Sequence, residues 1–178
     1  MSVESKLKLI IKPLEKQDID EVDLIAQKAY GAHHWSKDAF YSELSNNLAK
    51  YFVARTSDGE LAGFAGSWCI IDEAHITTIA VAPEFQRKHI GEALLVAILD
   101  NCYKNMAKYL TLEVRESNIP AIKMYEKYGF KSFGVRKGYY QDNNESALIM
   151  WTENIFWDKF KDMYEQNISN LKTLVDIE

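Results

Sequence analysis

The sequence predicts an α/β protein of the mixed α+β kind: one mixed β-sheet flanked by helices, with a helical extension at the C-terminus. Three observations predict it. Short strand-like runs alternate with runs of helical period in the order β-α-α-β-β-β-α-β-α-β-β. An amphipathic helix from Ile90 joins a strand ending at Val81 to one starting at Tyr109, and a right-handed crossover of this kind makes the two strands parallel neighbours. The turn Ser57-Asp58-Gly59-Glu60 joins two further strands as a hairpin, so the sheet also has antiparallel pairs.

The elements follow in order. Leu9-Ile10-Ile11 is a short strand closed by Pro13. From Gln17 to Tyr30, Ile19, Val22, Ile25, Ala26 and Ala29 recur at helical spacing, with Asp18 as the expected N-cap and Gly31 as the stop. Ser36 is placed to cap a second helix, Asp38 to Leu48, with Phe40, Tyr41, Leu44 and Leu48 on its apolar face. Tyr51–Arg55 and Leu61–Ile71 are the hairpin strands, and Asp72-Glu73 turns the chain into the strand Ala74–Val81. In the helix Ile90–Asn105 the apolar face is Leu94, Leu95, Ala97, Ile98 and Cys102, extended to Met106. Tyr109–Arg115 alternates Leu110, Leu112 and Val114 with Thr111, Glu113 and Arg115. Asn118 caps a helix with Pro120 in its first turn, and Gly129 ends it. Phe130–Tyr140 and Ser146–Thr152 complete the sheet, and Ile155–Val175 reads as an extra helix or a tail. Residues 1–152 are therefore expected to form the domain and 153–178 a C-terminal helical extension. The apolar residues of that extension fit packing on the domain or on a partner subunit equally well.

With 178 residues and 47% hydrophobic content, the chain has material for one domain with a core. A net charge of −5 argues against nucleic acid as a partner. No uncharged run is long enough to cross a membrane and no signal peptide precedes the first strand, so a cytoplasmic location is expected. Cys69 and Cys102 both lie in apolar context and read as reduced thiols. His33 and His34 lack a partner at zinc-ligand spacing, so no metal is expected.

The segment Gln86-Arg87-Lys88-His89-Ile90-Gly91-Glu92 carries the first functional signal. A helix N-terminus offers backbone N–H groups with no intrahelical acceptor, and its dipole favours negative charge. Preceded by a strand and a basic turn, it is a candidate cradle for a pyrophosphate.

Three blocks in order resemble the GNAT N-acetyltransferase superfamily over roughly residues 9–151. The first is Ile79-Ala80-Val81 with Gln86-Arg87-Lys88-His89-Ile90-Gly91, similar to the family's Gln/Arg-x-x-Gly-x-Gly/Ala motif. The second is Leu112 to Asn118 with Ala121 and Tyr125, and the third is Tyr125 to Phe130. More narrowly, Trp35-Ser36, Asp72-Glu73-Ala74, Leu112 to Asn118 and Lys137-Gly138-Tyr139-Tyr140 resemble the bacterial ribosomal-protein-alanine N-acetyltransferases. His89 departs from the motif, standing where the family has its first glycine. If that position needs positive φ, His is among the side chains that tolerate it, and the turn is expected to survive.

The resemblance implies acetyl-CoA as cosubstrate and a protein with a free amino terminus, in the narrower case a small-subunit ribosomal protein, as acceptor. It implies that Ile79, Ala80 and Val81 pair with the pantetheine amides, and that Arg87, Lys88, His89, Ile90, Gly91 and Glu92 hold the phosphates; the negative side chain of Glu92 is no obstacle if it points outward. Asn118 would bond the pantetheine arm, cap its helix, or both. Glu113 would be the general base, acting through water, and Tyr125 the general acid at the departing sulfur. Trp35, Tyr139 and Tyr140 would shape the acceptor groove. From the residues alone, Glu113 is also readable as a surface carboxylate paired with Arg115 or a lysine, and Tyr125 as a core aromatic. The alternatives are a GNAT enzyme acting on a lysine side chain or a small amine such as a polyamine, and a module that binds acetyl-CoA without turnover. A dinucleotide-binding fold fits poorly, because no glycine-rich turn follows the first strand.

Overall fold

The computed structural model describes residues 6–178. Its strands are β1 (Leu7–Pro13), β2 (Ala49–Thr56), β3 (Leu61–Ile70), β4 (Glu73–Val81), β5 (Tyr109–Arg115), β6 (Phe130–Tyr140), β7 (Glu145–Thr152) and β8 (Val175–Ile177). The helices are α1 (Ile19–Tyr30), α2 (Lys37–Leu44), α3 (Ile90–Lys104), α4 (Ile119–Lys127) and α5 (Asp158–Leu174). The strands form one sheet in the order β6-β7-β5-β4-β3-β2-β1-β8. β1 to β4 are antiparallel neighbours, and β4 and β5 are parallel, as the crossover through α3 requires.

Strand alternation divides the core in two. One set of side chains, including Tyr51, Val53 and Phe64, meets Ile19, Val22 and Ile25 of α1 and Phe40 of α2. The other, including Ala54, Ala62, Ala65 and Leu110, meets Leu94, Leu95, Ile98 and Leu99 of α3 together with Ile122 and Tyr125 of α4. Helices therefore lie on both faces, and β3 is buried along most of its length. The C-terminal segment packs into the second set: Phe160, Tyr164, Leu171 and Val175 join α3 and α4 there. Tyr164 donates to Asp100 Oδ1 at 2.8 Å, and Asn167 donates to the Lys127 carbonyl at 2.8 Å.

Several local expectations differ from the structure. Asp18 does not cap α1: its carboxylate is buried, accepts from the Glu15 N–H at 2.9 Å and pairs with Arg55 Nη2 at 2.7 Å. A tertiary ion pair has replaced the local cap. Ser36 does cap α2, accepting from the Ala39 N–H, but the helix stops at Leu44 and of its expected apolar face only Phe40 is buried. Met106 lies beyond the end of α3 at positive φ and is exposed. Trp157 and Leu174 of the extension are exposed as well. The sequence reading had no β8, a three-residue strand that pairs in parallel with β1. Such a short strand carries almost no periodicity of its own.

Candidate active site

The site begins where two parallel strands part. β4 and β5 pair only at Glu73–Tyr109, Ala74–Leu110 and His75–Thr111. Past that point β5 stays paired with β7 and β4 with β3, so the sheet opens between them. A bulge in β4 at Thr77 marks the opening: Gly66 faces Thr78, while the next residue, Ser67, faces Ile76. Tyr51 lies over Gly66, where any Cβ would come within 2.1 Å of its ring, and its hydroxyl reaches Thr77 Oγ1 at 2.9 Å. Only glycine leaves room for that ring.

The opening is a cleft of about 1130 Å³. It brings Trp35, Ile79, Glu113, Asn118, Tyr125, Tyr139 and Tyr140 together from distant parts of the chain. Glu113 stands on β5 out of phase with buried Leu112 and Val114. Its Oε1 lies 3.2 Å from Arg136 Nη2 of β6, and neither Arg115 nor a lysine is its partner. Arg115 is held by Asp142 and Glu145 and stacks on the Tyr140 ring, with its guanidinium carbon 3.8 Å from the centroid.

Tyr125 projects from α4 into the cleft and is buried. Burial, reinforced by the neighbouring Tyr30 and Tyr140 phenols, pushes its hydroxyl well above the ordinary tyrosine range, so it stays protonated at neutral pH. Burial, the main cause, likewise raises Tyr140 to about 12. Asn118 caps α4 by accepting from the Ala121 N–H at 3.3 Å while lining the cleft. A proton donor and a half-exposed carboxylate thus face one space, an arrangement suited to proton transfer on both sides of a reacting carbonyl.

The turn at Arg87 to Glu92 lies outside the cleft lining, at the N-terminus of α3 beside the end of β4. A Cβ on Gly91 would lie 3.7 Å from Val81 Cγ2 and from Met124 Sδ of α4, so the turn adjoins both walls. His89 takes the left-handed conformation, φ 61° and ψ 15°, as expected for the glycine-like position, and Arg87 has φ 58°. No side chain caps α3. Its first intrahelical bond runs from the Ala93 N–H to the His89 carbonyl, which leaves the N–H groups of Ile90, Gly91 and Glu92 without intrahelical acceptors. These groups fit a diphosphate, and the edge of β4 left unpaired where β5 parts from it offers Ile79 to Val81 to an amide-bearing arm.

The Glu92 side chain does not point outward. It is buried, accepts from Lys127 Nζ and from the Tyr128 hydroxyl at 2.7 Å, and meets His89 Nδ1 at 3.0 Å. Burial works to raise the carboxyl, yet these three partners hold it below the usual range. Only its backbone N–H remains for the cradle.

The sequence reading also missed several cleft residues, Arg136 among them. Tyr30, at the end of α1, meets Thr78 Oγ1 at 2.7 Å and donates to the Ile79 carbonyl at 3.1 Å. Trp68 donates to Glu43, and Trp151 stacks edge-on with His75. Tyr30 had one local signal: an aromatic directly before the helix-ending glycine. Among the described residues no group of His, Cys, Asp or Glu has metal-holding geometry, and no helix is long and apolar enough to cross a membrane.

Comparison with known proteins decides the family. Residues 19–130 match the Acetyltransferase (GNAT) family. The chain belongs to the GNAT acetyltransferase family. A Bacillus subtilis (strain 168) protein provisionally named a ribosomal protein bS18-alanine N-acetyltransferase is 41% identical over 146 residues, 82% of this chain and 96% of the relative. The ribosomal protein bS18-alanine N-acetyltransferase of Escherichia coli (strain K12) is 37% identical over 142 residues, 79% of this chain and 94% of the relative. The crystal structure of the Escherichia coli ribosomal-protein-S18-alanine N-acetyltransferase superimposes with a TM-score of 0.74 at 36% identity, covering 82% of this chain and 94% of that one. This GNAT chain is therefore an acetyltransferase of mixed α+β fold.

Proposed function

We propose that this enzyme transfers the acetyl group of acetyl-CoA to the amino-terminal α-amine of a protein, a ribosomal protein of the bS18 kind with an N-terminal alanine. One observation carries the reading: Glu113 and Tyr125 share the cleft where β4 and β5 part, next to the uncapped N-terminus of α3. The likeness to relatives named for bS18 supports the choice of acceptor. A cytoplasmic site of action suits an acceptor of that kind.

In this reading the α3 turn receives the phosphates, and the β4 edge pairs with the pantetheine amides. Glu113 takes, through water, the proton that the α-ammonium must lose before it can attack. The neutral nitrogen bonds to the thioester carbonyl carbon, the carbon–sulfur bond breaks as Tyr125 gives its proton to the departing sulfur, and the nitrogen's surplus proton returns to the Tyr125 phenolate, leaving a neutral amide, a free thiol and the phenol restored. Trp35, Tyr139 and Tyr140 wall the acceptor's path. The base has modest work to do, because an α-amine titrates near about 8 whereas a lysine titrates near about 10.4.

Two peptides test the assignment by intact mass after incubation with enzyme and acetyl-CoA. One has a free N-terminal alanine and no lysine; the other has a blocked terminus and one internal lysine. Acetylation of the first alone supports the proposal. Acetylation of the second alone moves the activity to lysine side chains, and acetylation of neither redirects it to small amines.

A further inference from the structure

We infer that Glu92 is a positioning residue: its buried carboxylate pins His89 in the left-handed conformation and is itself held away from the α3 N-terminus, leaving that terminus open to phosphate. The inference rests on the reading that the Arg87–Glu92 turn receives the diphosphate of acetyl-CoA.

The local sequence favours a different outcome. His89 is the N-cap and Glu92 the third helical residue, the spacing at which a carboxylate commonly turns back onto the N-cap N–H and closes the helix start. Here α3 has no side-chain cap, because the carboxylate is engaged elsewhere. Oε2 meets the His89 ring at 3.0 Å, and Oε1 accepts from Lys127 and Tyr128 at the far end of α4. Lys127 supplies positive charge beside the buried carboxylate, which limits its repulsion of an incoming phosphate.

The same contacts answer the cost of the motif's missing glycine. A residue with a Cβ is disfavoured at φ 61°, whereas glycine takes that conformation freely. The His89–Glu92 bond, anchored in turn to α4, holds the ring where the backbone must stay left-handed. Asn167 of α5 bonds the Lys127 carbonyl, so the C-terminal helix braces the same anchor.

Steady-state kinetics with acetyl-CoA varied test this in wild type, Glu92→Gln, His89→Gly and the double variant. Glu92→Gln is expected to raise KM for acetyl-CoA about five- to tenfold with kcat changed less than about twofold, the pattern of lost binding. In the His89→Gly background the same substitution should change KM by less than about twofold, since glycine needs no pin. Should Glu92→Gln fail to fold, His89→Ala stands in: it keeps the Cβ and loses the pin, so its KM should exceed that of His89→Gly by about fivefold. A lower KM in Glu92→Gln, the result expected from simply removing a negative charge near a phosphate, would overturn the inference. So would equal changes in both backgrounds. Gly91→Glu checks the underlying reading separately: an unchanged KM there would remove the turn as the diphosphate site, and the inference with it.

Discussion

Arg136 Nη2 of β6 lies 3.2 Å from Glu113 Oε1 of β5, so the carboxylate at the centre of the cleft already holds a cation. An acceptor arriving as an ammonium has to compete with that guanidinium. Arg136→Gln is therefore expected to lower KM for a cationic acceptor peptide about two- to fivefold, a change in the range of a partly exposed ion pair. Acetyl-CoA KM should stay level. Initial rates with each substrate varied in turn check this, and a raised peptide KM would show that Arg136 binds the acceptor instead.

Glu113→Gln should cut kcat by about 10²- to 10⁴-fold, the usual span for loss of a general base. The loss should be greatest at pH values below the acceptor amine's own pKa near about 8, where a proton must be removed, and should shrink above it. A pH–rate profile for each enzyme decides. A loss that is constant across pH would assign Glu113 a binding role only.

Tyr125→Phe keeps the ring among Ile122 and Phe130 and deletes only the hydroxyl. Since burial keeps that phenol protonated at neutral pH, the variant lacks a proton donor but not a core side chain. We expect kcat to fall by about 10²-fold or more, with acetyl-CoA affinity nearly unchanged by direct titration. A normal kcat would return Tyr125 to a packing role.

At the cleft rim Glu145 is held at about 2 by hydrogen bonds from Ser117 first, then from Asn143 and Arg115. Its folded value lies below the ordinary glutamate value of about 4.3, so its contribution is complete above that pH and fades as pH falls toward about 2. The Ser117 amide resonance, followed by NMR on acidification, should keep its bonded shift through about pH 4 and lose it only nearer the folded value. Loss at a higher pH would mean that the rim is not held this way.

Gly129 sits at φ +84°, and a Cβ there would come within 2.8 Å of Phe160 Cε2 and 3.0 Å of Met163 Cε. Gly129→Ala combines left-handed strain with overpacking against α5, for a loss of about 2–3 kcal/mol. A Tm lower by roughly 4–12 °C follows for a chain of this size. Thermal unfolding monitored by circular dichroism checks it, and an unchanged Tm would show that α5 yields without cost.

The sequence by itself determined the features whose causes are local. The period of α3, the alternation of β5, the Ser36 and Asn118 caps and the stops at Gly31 and Gly129 each depend on a few neighbouring residues, and each appears where the pattern put it. The left-handed turn at His89 sits between the two classes: its motif position permits it, and the contacts of Glu92 hold it. Tertiary structure alone decided what depends on residues remote in the chain. Asp18 serves Arg55, 37 residues away, and so does not cap α1. Glu92 turns inward because Lys127, 35 residues on, meets it. Arg136 finds Glu113, Tyr30 reaches β4, and β8 pairs with β1, all across gaps that periodicity does not span. The cleft itself belongs to this second class: β4 and β5 are each ordinary strands, and only their limited pairing within the folded sheet opens the space between Glu113 and Tyr125.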